Sequence, residues 1–96
     1  MTETAETNTA SPVVLDAVLD VRAASGLLDA FRARRGEPLT VDASAVGQVG
    51  ALCLQVLLAA VEAWREDGNP FEIISPSDDF KAGLQRLGAD AASLAS

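Results

Sequence analysis

The sequence predicts an α/β domain: a small, mostly parallel sheet of about four strands with helices packed mainly on one side. Three observations predict it. Strand-prone and helix-prone stretches alternate as β, α, β, α, β, α with short connections. Residues 38–41 (PLTV) form an apolar run bounded by turns, as in a strand buried centrally. Residues 51–66 contain neither glycine nor proline and repeat apolar side chains at helical spacing. A strand–helix–strand crossover within one sheet is right-handed and parallel, which fixes the topology expected.

Composition narrows the function. A chain of 96 residues holds one small domain, and a hydrophobic content of 49% suits a folded core. The one cysteine, Cys53, excludes an internal disulfide and lies in an apolar helix, which reads as a reducing, cytoplasmic setting. No apolar run reaches the length of a membrane span, and the N-terminus lacks the basic and apolar regions of a signal peptide. With a net charge of −7, nucleic acid and anionic lipid are poor partners. The chain has no histidine, and so lacks the commonest general base and a common metal ligand. No cofactor or metal is implied.

Taken in order, residues 1–11 (MTETAETNTAS) are polar and aperiodic and read as a disordered tail; residues 12–96 form the domain. Residues 12–20 (PVVLDAVLD) are β-prone, either one bent strand or two short ones meeting near Asp16. Residues 23–35 read as a helix through Leu27, Leu28 and Phe31. Arg32, Arg34 and Arg35 crowd its last turn, where the dipole favours cations, and Gly36 caps it. These arginines read as a solvated helix end, with an anion site as the alternative. After the strand at 38–41 and a turn-like segment at 43–50, the central helix carries a core stripe of Leu54, Leu57, Leu58, Val61 and Trp64. Gly68, Asn69 and Pro70 stop it. Residues 71–74 (FEII) form the next strand. Ser77 then caps a last helix with Asp78 and Asp79 in its first turn and Phe80, Leu84 and Leu87 on its apolar face; Gly88 ends it.

Function is sought at residues 42–55, because ligands and partners of open α/β sheets sit where a strand's carboxyl end meets the next helix. Asp42 ends a strand, but a receiver-type acid cluster has only Asp16 and Asp20 to add, and the one lysine, Lys81, lies in the last helix. A carboxylate accepting N–H bonds from its own loop is the expected role. Ser44 has no histidine to activate it and is expected to bond its own turn. Cys53 is expected to be a buried small hydrophobe rather than a redox thiol. Gly47 and Gly50 form a G-x-x-G without the lysine of a phosphate loop, so close packing or turn geometry explains them better. Leu52, Gln55, Ala59, Glu62 and Glu66 share a helical face opposite the core stripe. Its apolar beginning beside a glycine loop is a candidate docking surface.

The same stretch resembles the core of a STAS domain, the fold of anti-sigma-factor antagonists, whose pattern runs roughly D-L-S-G-V-x-x-I-D-S-S-G-L-G-V-L. Laid from Asp42, it matches Asp42, Ser44, Val46, Leu54, Val56 and Leu57, with Val49 for the isoleucine. The family's D-S-S-G becomes Gly50-Ala51-Leu52-Cys53, so the serine phosphorylated in switching members falls on Leu52. Cys53-Leu54-Gln55-Val56-Leu57-Leu58 after a glycine, with Asp67-Gly68 and Pro70-Phe71 downstream, resembles small STAS proteins that accompany chemotaxis kinases in alphaproteobacteria. The resemblance implies a non-enzymatic interaction module that binds a chemotaxis or related histidine kinase; the sequence does not fix the oligomeric state, and a monomer is the favoured expectation. Its docking residues would be Gly47, Gln48, Gly50, Ala51, Leu52, Gln55 and Ala59. The alternative it implies is the STAS subunit of an ABC-type lipid-transport complex docking on its ATPase. With leucine at the switch position, incubation with cognate kinases and ATP should leave the intact mass unchanged. A stoichiometric phosphate on Ser44 would overturn that expectation.

Overall fold

The computed structural model describes residues 12–89. The tail expected at 1–11 and the last residues, 90–96, lie outside the described residues. The strands are β1 (Val13–Val14), β2 (Val18–Leu19), β3 (Leu39–Asp42), β4 (Gln48–Val49) and β5 (Phe71–Ile74). The helices are α1 (Val21–Ala33), α2 (Ala51–Asp67) and α3 (Asp78–Arg86).

The apolar run before Asp42 becomes the central strand. β3 lies between β1 and β5, parallel to both, with Val13 opposite Val41 and Val41 opposite Ile73. Leu39 and Val41 are buried, as a strand covered by neighbours requires. The expected sheet of four strands is instead a sheet of three plus a separate parallel pair, β2 with β4. Two local facts separate them. The chain breaks its extended run between Leu15 and Val18, so residues 12–20 form two strands rather than one. The Ala17 carbonyl, at that break, accepts the amides of Gly47 at 2.7 Å and Gln48 at 3.1 Å, pulling the turn-like segment into a two-residue strand.

Helix ends follow their capping residues. The Asp20 carboxylate accepts N–H bonds from Arg22 and Ala23 at 3.0 and 3.1 Å, so α1 starts at Val21, two residues before its periodicity suggests. It closes at Ala33 with Arg34 as its cap, not at Gly36, which takes its φ of 92° in the turn that follows. The Ser77 hydroxyl accepts from the Phe80 amide at 3.0 Å at the start of α3, as expected. Gly68 closes α2 in the left-handed conformation, a role glycine fills without steric cost.

α2 runs through the core and buries Cys53, Leu54, Leu57, Ala60, Val61 and Trp64. Leu58 does not belong to this stripe: it is 37% exposed. Its place on the inward arc is taken by Cys53 and Ala60, which turn the buried face one residue away from Leu58. At the far end of α2, Trp64 meets Phe31 of α1 and Phe71 of β5 edge-on, with ring centroids 6.1 and 5.7 Å away. Its indole N–H donates to the Glu37 carbonyl at 2.7 Å. Arg35 lies over its ring at 5.8 Å and pairs with Asp67 at 2.9 Å. Removing a buried aromatic costs about 3–5 kcal/mol, a large share of a small domain's stability. Trp64→Ala should therefore be largely unfolded at 37 °C by circular dichroism, with Trp64→Phe intermediate in urea titrations. A parental melt for Trp64→Ala would show that the ring cluster contributes little.

Candidate docking surface

β3 delivers Asp42 to the carboxyl end of the sheet, and the turn there uses its charge locally. The carboxylate accepts the Ser44 backbone N–H at 2.9 Å. That bond, and a second from the Ser44 side chain, hold its pKa below the usual carboxylate range. Asp20 is occupied in capping α1. Among the described residues, no group of three or more Cys, Asp or Glu side chains could hold a metal ion. Asp42 and Ser44 thus take the turn-building roles expected of them.

Past this turn the chain is pinned to its surroundings. The Ala43 amide donates to the Ile74 carbonyl at 3.1 Å, and the Ala43 carbonyl accepts from the Ser77 amide at 3.2 Å. The Ser77 hydroxyl donates to the Val46 carbonyl at 2.5 Å. The Gly50 amide then donates to the Leu19 carbonyl at 2.8 Å. A Cβ on Gly50 would lie 3.0 Å from that same carbonyl oxygen, so close approach of two backbones explains this glycine. Three residues on, Cys53 is fully buried and its thiol donates to the Asp20 carbonyl at 3.3 Å. Burial raises the thiol pKa, with a further push from the charges of Asp20 and Asp16. Such a thiol is a packing group, not a nucleophile.

With Cys53 turned inward, the adjacent residues turn outward. Gly47, Gln48, Ala51, Leu52, Gln55 and Ala59 are exposed, and Gly50 is half-buried between them. The structure thus brings the β4 loop and the outer face of α2 to one accessible surface. Leu52 is 45% exposed at its start. The displaced Leu58 joins the same face. Sequence reasoning missed two further members. Val18 is 47% exposed and pairs with Gln48; Val21 is 71% exposed and directly follows Asp20, whose carbonyl holds Cys53. The signal for them was present in the sequence: an aspartate cap at 20 puts Val21 in the first helical turn, and a strand that buries Leu19 must expose Val18.

Over residues 2–95 the sequence matches the family described as Mlab, STAS domain. The chain belongs to the STAS family. No curated protein and no solved structure gives a significant match to it. Among the described residues, three helices and small parallel sheets make an α/β architecture consistent with the STAS fold. STAS domains are in general non-catalytic regulatory modules that mediate protein–protein interaction, and no catalytic family is indicated here. Among the described residues, no helix is long and apolar enough to cross a membrane.

The Asp42 turn of this STAS domain has a pH signature. A carboxylate whose folded pKa is depressed adds stability above its unfolded pKa of about 4 and loses it as pH falls through the folded value. Asp67, lowered mainly by its hydrogen bond from Arg35, acts in the same direction. Asp42→Asn keeps an acceptor for the Ser44 amide but no charge, so its urea midpoint should fall less steeply than the parent's below about pH 4. Identical slopes would mean that the Asp42 charge adds nothing.

Proposed function

We propose that this STAS domain is a constitutive docking module of bacterial signalling, acting in the cytoplasm as a monomer. Its partner in this reading is a chemotaxis or related histidine kinase. The partner would be met by Gly47, Gln48, Gly50, Ala51, Leu52, Gln55 and Ala59, with Val18 and Val21 at the rim. The observation that carries the proposal is Leu52, an exposed leucine in the first turn of α2; the family resemblance lays it on the position of the serine phosphorylated in switching members. Phosphoserine there would bring negative charge into the interface; leucine offers a permanent apolar contact. Binding is then set by the concentrations of the two proteins rather than by a kinase and phosphatase.

A second reading uses the same face to dock on the ATPase of an ABC-type lipid-transport complex. It is kept by the description of the matched family, Mlab, STAS domain. Titrating the purified domain against each class of ATP-using partner separates the two.

The face itself is tested by placing on it the charge that relatives add. Leu52→Asp lies in the first helical turn, where the dipole tolerates an acid, so circular dichroism and melting should stay parental. Burying that carboxylate without a counter-charge should cost several kcal/mol, enough to abolish binding to the purified cognate chemotaxis kinase. Glu62→Lys, farther along α2, should matter less. A folded Leu52→Asp that binds normally would move the docking surface elsewhere. If the variant does not fold, Leu52 belongs to the core and the patch does not exist.

A further inference from the structure

Backbone bonds to β2 hold one edge of the β4 segment. The Ala17 carbonyl accepts from Gly47 and Gln48, and the Leu19 carbonyl accepts from Gly50. A two-residue strand held at one edge can still rotate about its own axis. Two residues of the α3 region, both outside the docking face, limit that rotation.

The first is Ser77. Its hydroxyl accepts from the Phe80 amide at 3.0 Å and donates to the Val46 carbonyl at 2.5 Å. One oxygen thus starts α3 and also orients the residue before Gly47. The position of Ser77 is itself clamped. The Ala43 amide donates to the Ile74 carbonyl, and the Ala43 carbonyl accepts from the Ser77 amide. Between these two bonds Ser75 takes a φ of 52°, a left-handed backbone that serine adopts at a cost. The clamp holds that strained turn and delivers the Ser77 hydroxyl to Val46.

The second is Gly83, buried on α3. A Cβ there would lie 3.3 Å from both Cβ and Cγ2 of Val49, short of an ordinary van der Waals separation. The bare helix backbone at Gly83 therefore seats Val49. Consecutive strand side chains point to opposite sides, so seating Val49 turns Gln48 outward, where it is exposed.

We propose that α3 sets the pose of the docking loop, with Ser77 and Gly83 as positioning residues that act through Val46 and Val49. This deepens the docking reading above and rests on it.

Three variants of the isotope-labelled full chain test the proposal. Ser77→Asp separates the two bonds of the hydroxyl: aspartate still caps α3 by accepting from Phe80, but has no proton for the Val46 carbonyl. Ser77→Thr keeps both bonds. Gly83→Ala adds no charge and favours the helix, while its methyl presses on Val49. Ser77→Asp and Gly83→Ala should keep parental helix content by circular dichroism and move the amide resonances of Gly47, Gln48 and Gly50. Each should weaken binding of the purified cognate chemotaxis kinase roughly three- to tenfold, the scale of one hydrogen bond, whereas Ser77→Thr should bind as the parent does. If one of the two fails to fold, the other decides. Unmoved loop amides or parental affinity in the folded variant would overturn the proposal, as would a Ser77→Thr that loses as much as Ser77→Asp. If Leu52→Asp loses the kinase while Ser77→Asp and Gly83→Ala keep full affinity, the face stands and the role of α3 falls. If these two lose affinity while folded Leu52→Asp does not, the posed loop stands and the helix-start face falls.

Discussion

The contact on which the rest of this molecule depends is the meeting of α2's first turn with the end of β2. There the Gly50 amide reaches the Leu19 carbonyl and the Cys53 thiol reaches the Asp20 carbonyl. A helix has one rotational freedom about its axis, and burying Cys53 removes it. Every later residue of α2 then has its side assigned: Leu54, Leu57, Val61 and Trp64 inward, Leu52, Gln55, Leu58 and Ala59 outward. The ring cluster at Trp64 fixes the other end. The core and the proposed docking face are thus two sides of one decision about helix phase.

Much of this was legible in the sequence, for reasons that differ by element. α2, β3 and β5 announce themselves because glycine, proline and acidic residues bracket unambiguous apolar runs. The Ser77 cap and the turn role of Asp42 followed from side-chain chemistry acting over two or three residues. What escaped was set by tertiary contact. β2 and β4 are two residues each, too short to carry a period, and exist because each supplies the other's partner. Leu58 fits a helical stripe as well as Cys53 does; only the position of β2 decides between them. The exposure of Leu52, Gln55 and Ala59 was readable from phase, whereas Val18 and Val21 join them only through the fold.

The acidic residues show how composition can mislead when read alone. Asp20 caps a helix, Asp42 shapes a turn, Asp67 and Glu37 hold arginines, and Asp78 and Asp79 sit in the first turn of α3, facing its dipole. These carboxylates serve the backbone and the helix ends and are spread over the surface, not gathered at one place. A charge of −7 on so short a chain therefore reports construction and solubility more than chemistry.

The parallel pairing has a consequence for how the chain acquires its shape. Val13 must wait for Val41, Val18 for Gln48, and Leu39 for Phe71, so none of the described strands pairs with a near neighbour in sequence. Loop-closure entropy is spent before any sheet contact repays it, which slows folding relative to a hairpin-built domain of equal size. During synthesis β3 keeps one side unpaired until β5 has emerged. A fragment ending before β5 would present an apolar strand with an open edge, a template for aggregation. Pairing with β5 is thus what makes β3 safe.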